Sequence, residues 1–214
     1  MNVLSNALFG KSIAITDFPS RQDIMGIDMS GAANYVEQVA RKLDFTNTYF
    51  HKPPHLDITA PEPQWLDQFD FVISSDVFEH VLPPVGRAFA NALRLLKPGG
   101  VFLLTVPFTK TGDTVEHFPE LHKWHLEKRD GEHILLNLTA DGRCQQFDNL
   151  VFHGGEGETL EMRIFSETGV IAELKRAGFE AICIHDEPCS EFGIVWHQNW
   201  SLPISARRPK TETE

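Results

Sequence analysis

Four histidines of this chain are of the residue type best suited to remove a proton from a bound substrate: His80, His117, His122 and His153. The unperturbed pKa of imidazole lies close to neutral pH, so histidine is an effective general base. Glu79 and Glu116 are the alternatives, since a carboxylate can also accept a proton. The chemistry that these residue types could perform is general acid–base catalysis.

The spacing of the same residues does not predict a metal site. Imidazole and carboxylate groups are suitable ligands, and His117 and His122 lie near Glu116 and Glu120. Helical ligand pairs, however, are usually separated by about four positions. His117 and His122 are five positions apart, with Pro119 between them. We therefore expect no metal ion in the protein.

A strand–helix–strand unit determines the position of His80. A short apolar run, Phe71–Ser74, predicts a strand that is covered on both faces. A helix is predicted from Pro84 to Lys97, because apolar residues recur there at helical spacing and Pro98-Gly99-Gly100 ends the pattern. Val101–Val106 predicts a second buried strand.

Such a unit is right-handed and parallel, and open parallel sheets bind ligands beyond the carboxyl ends of their strands. Polar residues follow the first of these two strands directly. We therefore expect a functional edge that includes Ser75, Asp76, Glu79 and His80.

An earlier segment has the shape of a nucleotide-binding βα unit. Asp23–Ser30 predicts a strand and Ala32–Leu43 a helix, and Gly26, Asp28 and Gly31 lie in or beside the connecting turn. A glycine turn lets a ligand approach the backbone, and the first turn of a helix offers free N–H groups. Two registers are open. The strand is either the first of the sheet, with a degenerate glycine turn, or the second, with Asp28 as a ribose-binding acid.

Three segments in this order resemble the class I S-adenosylmethionine-dependent methyltransferases, in particular the type 11 methyltransferase family: Phe69–Ser74, Val77–Val81 and Leu95–Val101. The resemblance implies an α/β, Rossmann-like, seven-stranded sheet that is mostly parallel with an antiparallel edge strand. It also implies S-adenosylmethionine as the cofactor and methyl transfer as the reaction. The methyl donor is already activated, so the protein must align the reactants and, for a hydroxyl nucleophile, remove a proton.

The resemblance further implies a donor site made from several turns. In the family an acidic residue ends the second strand and holds the ribose hydroxyls, and His51 stands at that position here. Leu56–Thr59 resembles the short third strand, whose acid lies near the adenine; a turn-capping role for Asp57 is the alternative. The expected donor-binding residues are Gly26, Asp28, Gly31, His51, Asp57, Ile58, Ser75 and Asp76.

Residues 109–165 are too many for an ordinary connection between a strand and a helix. His133–Leu138 and Gln145–Phe152 flank a turn with Asp141-Gly142 and predict a β-hairpin. In the family, insertions at this place form a substrate lid, and this one loosely resembles those of methyltransferases associated with surface-polysaccharide synthesis. We divide the chain into an N-terminal arm (1–22), a methyltransferase domain (23–207) and a polar tail (208–214).

The composition excludes several classes of partner. A net charge of −11 argues against nucleic-acid binding, which needs Lys and Arg to displace counterions. The three cysteines indicate free thiols in a reducing compartment, because their number is odd and their spacing fits no metal site. The sequence shows neither a signal-peptide pattern nor an apolar run long enough to span a membrane. We expect a cytoplasmic protein.

The leading hypothesis is an S-adenosylmethionine-dependent methyltransferase that methylates an oxygen of a small-molecule or glycan-precursor acceptor. The alternative is a catalytically degenerate methyltransferase fold that serves as a binding module or partner subunit, as the atypical glycine turn suggests. A nucleotide-dependent oxidoreductase is a third reading, against which the absence of Gly-x-Gly-x-x-Gly counts. A homodimer is compatible with each of them.

Overall fold

The computed structural model describes residues 1–153 and 159–210. Its helices are α1 (Asn2–Phe9), α2 (Ala33–Ala40), α3 (Gly86–Leu95) and α4 (Glu167–Ala177). The first strands are β1 (Arg21–Met29), β2 (Leu43–Thr48), β3 (Phe69–Ser75) and β4 (Leu96–Thr105). Then follow β5 (Phe108–Thr109), β6 (Val115–Glu116), β7 (Lys123–Arg129), β8 (Glu132–Leu138), β9 (Cys144–Phe147), β10 (Phe152–His153), β11 (Thr159–Leu160) and β12 (Arg163–Ser166). The last two are β13 (Glu180–Ile184) and β14 (Ile204–Arg207).

The central sheet has the strand order β2-β1-β3-β4-β14-β13. The strands β1 to β4 are parallel, and β14 is antiparallel to both of its neighbours. The expected α/β fold, mostly parallel with an antiparallel edge, is confirmed. Because β1 lies between β2 and β3, Asp23–Ser30 belongs to the first strand of the sheet, and the second register considered above is wrong.

Side chains alternate between the two faces of the sheet and create a core on each. Phe71, Ile73, Val101 and Leu103 pack with residues of α1 and α2 on one face. Their neighbours in the strands pack under α3 and α4 on the other face. The predicted arm therefore includes a helix, α1, that covers the sheet. Within the described residues, no helix has the length and apolar character needed to cross a bilayer.

The sheet of the described residues has six strands, one fewer than expected. The missing strand is the one predicted at Leu56–Thr59. The Asp57 carboxylate accepts hydrogen bonds from the backbone N–H of Thr59 at 2.8 Å and from its hydroxyl at 2.7 Å, which closes a turn in place of a strand. Asp57 thus has the turn-capping role that was the alternative for it.

The second half of the strand–helix–strand unit also differs from expectation. Helix α3 ends at Leu95, and the predicted stop at Pro98-Gly99-Gly100 lies within β4. The pairing of β3 with β4 shifts register between Phe69 and Phe71, which accommodates these residues as an irregularity in the strand. The glycines therefore lie in an irregular part of a strand that begins directly after the helix.

The insertion after β4 folds mainly as β-structure with a small core of its own. Strands β8 and β9 form the predicted hairpin, and β7 adds a third antiparallel strand that the sequence did not predict. Strand β12 pairs with β5 and β6, and β10 pairs with β11. Phe118, Leu135, Leu160 and Met162 are buried together beneath these strands.

Gly26 lies inside β1, and packing against its neighbours explains why this position is a glycine. Phe45 and Phe71 occupy the same register on the two neighbouring strands, and their rings stack with centroids 5.7 Å apart. A Cβ at Gly26 would lie 1.9 Å from the Phe71 ring. The aromatic pair therefore requires a residue without a side chain between its two strands.

We expect Gly26→Ala to reduce the free energy of unfolding by about 1–3 kcal/mol, because the Phe71 ring must leave its packed position. Urea unfolding of Gly26→Ala, Phe71→Leu and the double variant measures this coupling. When Phe71 is already leucine, Gly26→Ala should reduce the free energy of unfolding by clearly less. An equal loss of stability from Gly26→Ala with either residue at position 71 would show that the Phe71 ring does not require glycine at position 26.

Candidate active site

The carboxyl ends of β3 and β4 meet at one edge of the sheet, and the segment before β14 joins them there. The Ser75 hydroxyl hydrogen-bonds with the Thr105 hydroxyl at 2.8 Å. The Ser201 hydroxyl donates to the Asp76 carboxylate at 3.2 Å. Ser75 and Asp76 are exposed at this edge, which is where the sequence placed them.

The turn between β1 and α2 lies at the same edge and is held by the end of β2. The Asn47 side-chain oxygen accepts from the Gly31 N–H at 2.8 Å, and its amide donates to the Gly31 carbonyl at 3.2 Å. Ser30 has a φ of +61°, a conformation that glycine adopts more readily. A Cβ at Gly31 would lie 2.2 Å from the Asp28 carboxylate, so the turn closes tightly over that side chain.

Asp28 is fully buried behind this turn. One carboxylate oxygen accepts a hydrogen bond from the Tyr35 hydroxyl of α2, and among the described residues the other has no hydrogen-bond partner. Burial raises the pKa of Asp28 to about 6, although the Tyr35 bond acts in the opposite direction. Burial also raises the pKa of the Tyr35 hydroxyl, and the neighbouring Asp28 contributes to this shift.

The raised pKa of Asp28 predicts that the free energy of unfolding depends on pH. The folded chain binds the Asp28 proton more tightly than the unfolded chain does, since the pKa is about 6 instead of its usual 3.8. The stabilisation is complete below the unfolded pKa and is lost as the pH rises through about 6, a change on the order of 3 kcal/mol. Asp28→Asn cannot ionise and should lack this loss. Urea unfolding at several pH values between 4 and 7 compares the two proteins, and parallel curves would contradict the expectation.

The remaining residues predicted to bind the donor are spread over the turns after β2. His51 is exposed. Asp57 is half-buried and faces its own turn, as described above. Ile58 is buried, and its carbonyl accepts from the Asn91 side chain of α3 at 2.9 Å. The structure thus fixes Asp57 and Ile58 against the domain and leaves His51 in solvent.

A second group of residues assembles where the insertion returns to the domain. The turn at Phe78–His80 follows β3 directly, and residues 160–163 dock on it through three hydrogen bonds. The Met162 N–H donates to the Glu79 carbonyl at 2.8 Å, and the Arg163 guanidinium donates to the Phe78 carbonyl at 2.7 Å. The His80 Nδ1–H donates to the Leu160 carbonyl at 3.0 Å. These hydrogen bonds hold the insertion beside the predicted functional edge of the sheet.

Glu161 is the centre of this group. Its Oε1 lies 2.8 Å from His117 Nε2 and its Oε2 lies 3.1 Å from His153 Nε2. The rings of His153 and His80 meet edge to face with centroids 4.9 Å apart. Two of the four predicted histidines therefore contact one buried carboxylate that sequence reasoning did not select, and a third, His80, packs against one of them.

The fourth, His122, is not part of this group. Its side chain is exposed, and its backbone N–H donates to Asn137 of β8. Within residues 1–153 and 159–210 its ring forms no hydrogen bond or ion pair. His122 thus lies on the protein surface, next to the sheet formed by β7, β8 and β9.

Glu79 is fully buried beside the cluster, 3.8 Å from His80 Nε2. Burial, with smaller contributions from the charges of Asp76 and Glu161, raises the pKa of Glu79 to about 8. Burial also lowers the pKa of His80. Near neutral pH both side chains therefore favour their uncharged forms.

Arg163 holds the base of the cluster together and is fully buried. Its Nε donates to the Glu116 carboxylate at 2.6 Å, which joins β12 to β6. The observed partner is Glu116, far away in the chain, so only the pairing of β6 with β12 identifies it.

Known proteins resemble this chain in the sequence of its first half and in its fold. Residues 9–102 match the sequence pattern of a methyltransferase domain family. No curated protein matches the sequence. One similar solved structure is the 1,6-didemethyltoxoflavin-N1-methyltransferase of Burkholderia thailandensis, with bound 1,6-didemethyltoxoflavin and S-adenosylhomocysteine. The match has 15% identity over 98% of this chain and 76% of that chain, with a TM-score of 0.55.

Two further structures have the same fold. The sugar N-methyltransferase KedS8 from Streptoalloteichus sp ATCC 53650 is 12% identical over 87% of this chain and 81% of its own, with a TM-score of 0.52. A putative S-adenosylmethionine-dependent methyltransferase from Listeria monocytogenes is 13% identical over 90% of this chain and 94% of its own, also with a TM-score of 0.52. At these identities the structural similarity establishes the fold.

Proposed function

We propose that this chain, which has a methyltransferase-domain sequence pattern and the fold of the class I S-adenosylmethionine-dependent methyltransferases, methylates an oxygen of a small-molecule or glycan-precursor acceptor. S-adenosylmethionine is the cofactor. The observation that carries the proposal is the histidine–carboxylate cluster beside the carboxyl end of β3. It provides proton acceptors next to the edge where proteins of this fold bind ligands.

The residues of the sheet edge suit a donor with a ribose and an adenine. Ser75 and Asp76 offer polar groups beside the methyl-donating end, and the tight turn at Gly31 lets a ligand approach the backbone. Asp28 lies directly behind that turn, whereas Gly26 lies farther back in β1 between Phe45 and Phe71. Asp57 and Ile58 would border the adenine, and His51 the ribose.

The acceptor side is assigned to the insertion. When bound, S-adenosylmethionine supplies an activated methyl group, so the main tasks of the protein are alignment and proton removal. His117 and His153 are each held by Glu161, which orients the ring and stabilises the imidazolium formed when a ring nitrogen takes the acceptor's hydroxyl proton. His80 lies behind them as a second proton acceptor or as a support. His122 would contact only a large acceptor that extends across the outer surface.

Calorimetric titration with S-adenosylhomocysteine tests the donor site. We expect one site per chain, and Gly31→Ala should weaken binding because the turn must move away from Asp28. Gly86→Ala is the matched control, since its Cβ would meet only the end of the Glu173 side chain, at 3.0 Å. Absence of binding at millimolar ligand would overturn the donor assignment and favour a binding module.

The acceptor atom is tested with methyl-¹³C-labelled S-adenosylmethionine and a panel of sugar nucleotides and lipid-linked glycan precursors. Methyl carbons on oxygen, nitrogen and carbon resonate in separate regions of the ¹³C spectrum. We expect the label on oxygen. A label on nitrogen, the atom named for two of the similar structures, would overturn the oxygen assignment and keep the methyltransferase.

A further inference from the structure

We propose that Glu79, His80 and His153 form a binding site for a divalent first-row transition-metal cation such as Mn²⁺. The inference deepens the proposed function, and it rests on that function only for what the ion would do there. Binding of the ion itself is a property of the three side chains and can be measured without donor or acceptor.

The three side chains are close enough to share one ion. One potential ligand atom of each lies within 4.8 Å of the others. Adjacent ligand atoms around one octahedral ion such as Mn²⁺ lie roughly 3 Å apart. The distance from Glu79 Oε1 to His80 Nε2 is 3.8 Å, so these two side chains must draw slightly closer to share an ion, and His153 must approach both.

Glu79 gives an independent reason to expect a cation. Its side chain is fully buried, and both carboxyl oxygens lack a hydrogen-bond partner in the part of the chain that the structure describes. Arg163 does not satisfy them, because its hydrogen bonds go to Glu116 and the Phe78 carbonyl. Buried polar groups without partners are costly, and a metal ion is one of the few groups that can occupy the space between two imidazoles and a carboxylate.

The surroundings orient the two histidines as metal ligands are usually oriented. His80 donates its Nδ1–H to the Leu160 carbonyl, which leaves the lone pair of Nε2 on the side of Glu79. His153 contacts the Glu161 carboxylate through its Nε2. Carboxylate and carbonyl groups in these positions fix the tautomer and ring direction of metal-bound histidines. The sequence spacing did not predict this site because its ligands are 73 positions apart, from His80 to His153.

The ion would lie beside the proposed acceptor site. The His153 side chain is 37% exposed, so one side of the cluster is open to a ligand. A cation there would bind the acceptor oxygen and lower the pKa of its hydroxyl group. His117, which contacts the other oxygen of Glu161, would then be the group that receives the proton.

Titration of the full chain with Mn²⁺, followed by the electron paramagnetic resonance signal of the free ion, tests the site. Mn²⁺ is chosen because it prefers oxygen and nitrogen ligands, so the exposed cysteines compete little. We expect one Mn²⁺ per chain, with affinity reduced at least tenfold in Glu79→Gln and in His153→Ala. His125→Ala is the matched control, since His125 also contacts a glutamate, Glu127 at 3.1 Å, and is exposed on β7.

Two outcomes would overturn the proposal: no uptake of Mn²⁺ at millimolar concentration, or uptake that both cluster variants leave unchanged. Circular dichroism of each variant shows whether it is folded, and His153→Ala keeps the test valid if Glu79→Gln is not. Mn²⁺ binding without S-adenosylhomocysteine binding would support the cation site while contradicting the proposed function. The reverse result would remove only the cation site.

Discussion

Replacing Arg163 with methionine is expected to reduce the free energy of unfolding by about 3–4 kcal/mol, one of the two largest effects anticipated for this chain. Arg163 is fully buried and donates to the Glu116 carboxylate at 2.6 Å and to the Phe78 carbonyl at 2.7 Å. Methionine fills similar space but leaves both acceptors without their donor. We place the effect near the lower end of the range for buried ion pairs, since the Glu116 side chain is 30% exposed.

Urea unfolding of Arg163→Met measures this loss, and the double variant Arg163→Met/Glu116→Leu identifies its cause. The double variant should recover part of the stability, because it no longer contains a carboxylate without a partner. Arg143→Met is the control, since Arg143 forms its ion pairs with Glu120 and Asp141 at an exposed position. A loss below about 1 kcal/mol for Arg163→Met would contradict the structural role assigned to this residue.

Glu161→Gln is expected to lower kcat for methyl transfer by about 10²–10⁴-fold, the range typical of a lost general base. Glutamine keeps the shape of the side chain but cannot stabilise a positive charge on His117 or His153, both of which contact Glu161. Glu161 acts through these histidines and is a positioning residue. Its loss should therefore appear in kcat, with the affinity for S-adenosylhomocysteine unchanged.

The measurement is steady-state kinetics with the acceptor that the labelling experiment identifies, together with calorimetry of S-adenosylhomocysteine binding. Glu161→Asp should recover part of kcat, because it restores the charge at a shorter reach. Glu127→Gln is the matched control, since Glu127 also contacts a histidine, His125, but on the exposed sheet. A parallel loss of donor affinity in Glu161→Gln would indicate a general structural role instead.

Local signals in the sequence were sufficient for much of the domain. Helix α4 begins after Ser166, whose hydroxyl accepts from the Gly169 N–H at 3.0 Å, and ends at Gly178 in the left-handed conformation. These features depend on residues a few positions apart, so a linear reading identifies them. The buried strand at Phe71–Ser74 was predicted for the same reason.

Two elements were misread, one because of a local side-chain contact and the other because of packing between strands. Leu56–Thr59 forms a turn in place of a strand, since the Asp57 carboxylate binds the Thr59 backbone within the segment. Gly26 was assigned to a ligand-binding turn, but the stacked rings of Phe45 and Phe71 on neighbouring strands explain it. The register of three strands, which no single segment contains, decides this point.

By itself, the sequence determined the α/β fold class, the family resemblance and the edge of the sheet at which Ser75 and Asp76 lie. Periodicity, turn residues and short motifs are local, and they carry that information directly. Only the tertiary structure decided which histidines act together. His117 and His153 meet at Glu161, with His80 packed against His153, because residues 160–163 of the insertion hydrogen-bond to the turn after β3. That contact joins segments about 80 positions apart, and it depends on how the whole insertion folds back on the domain.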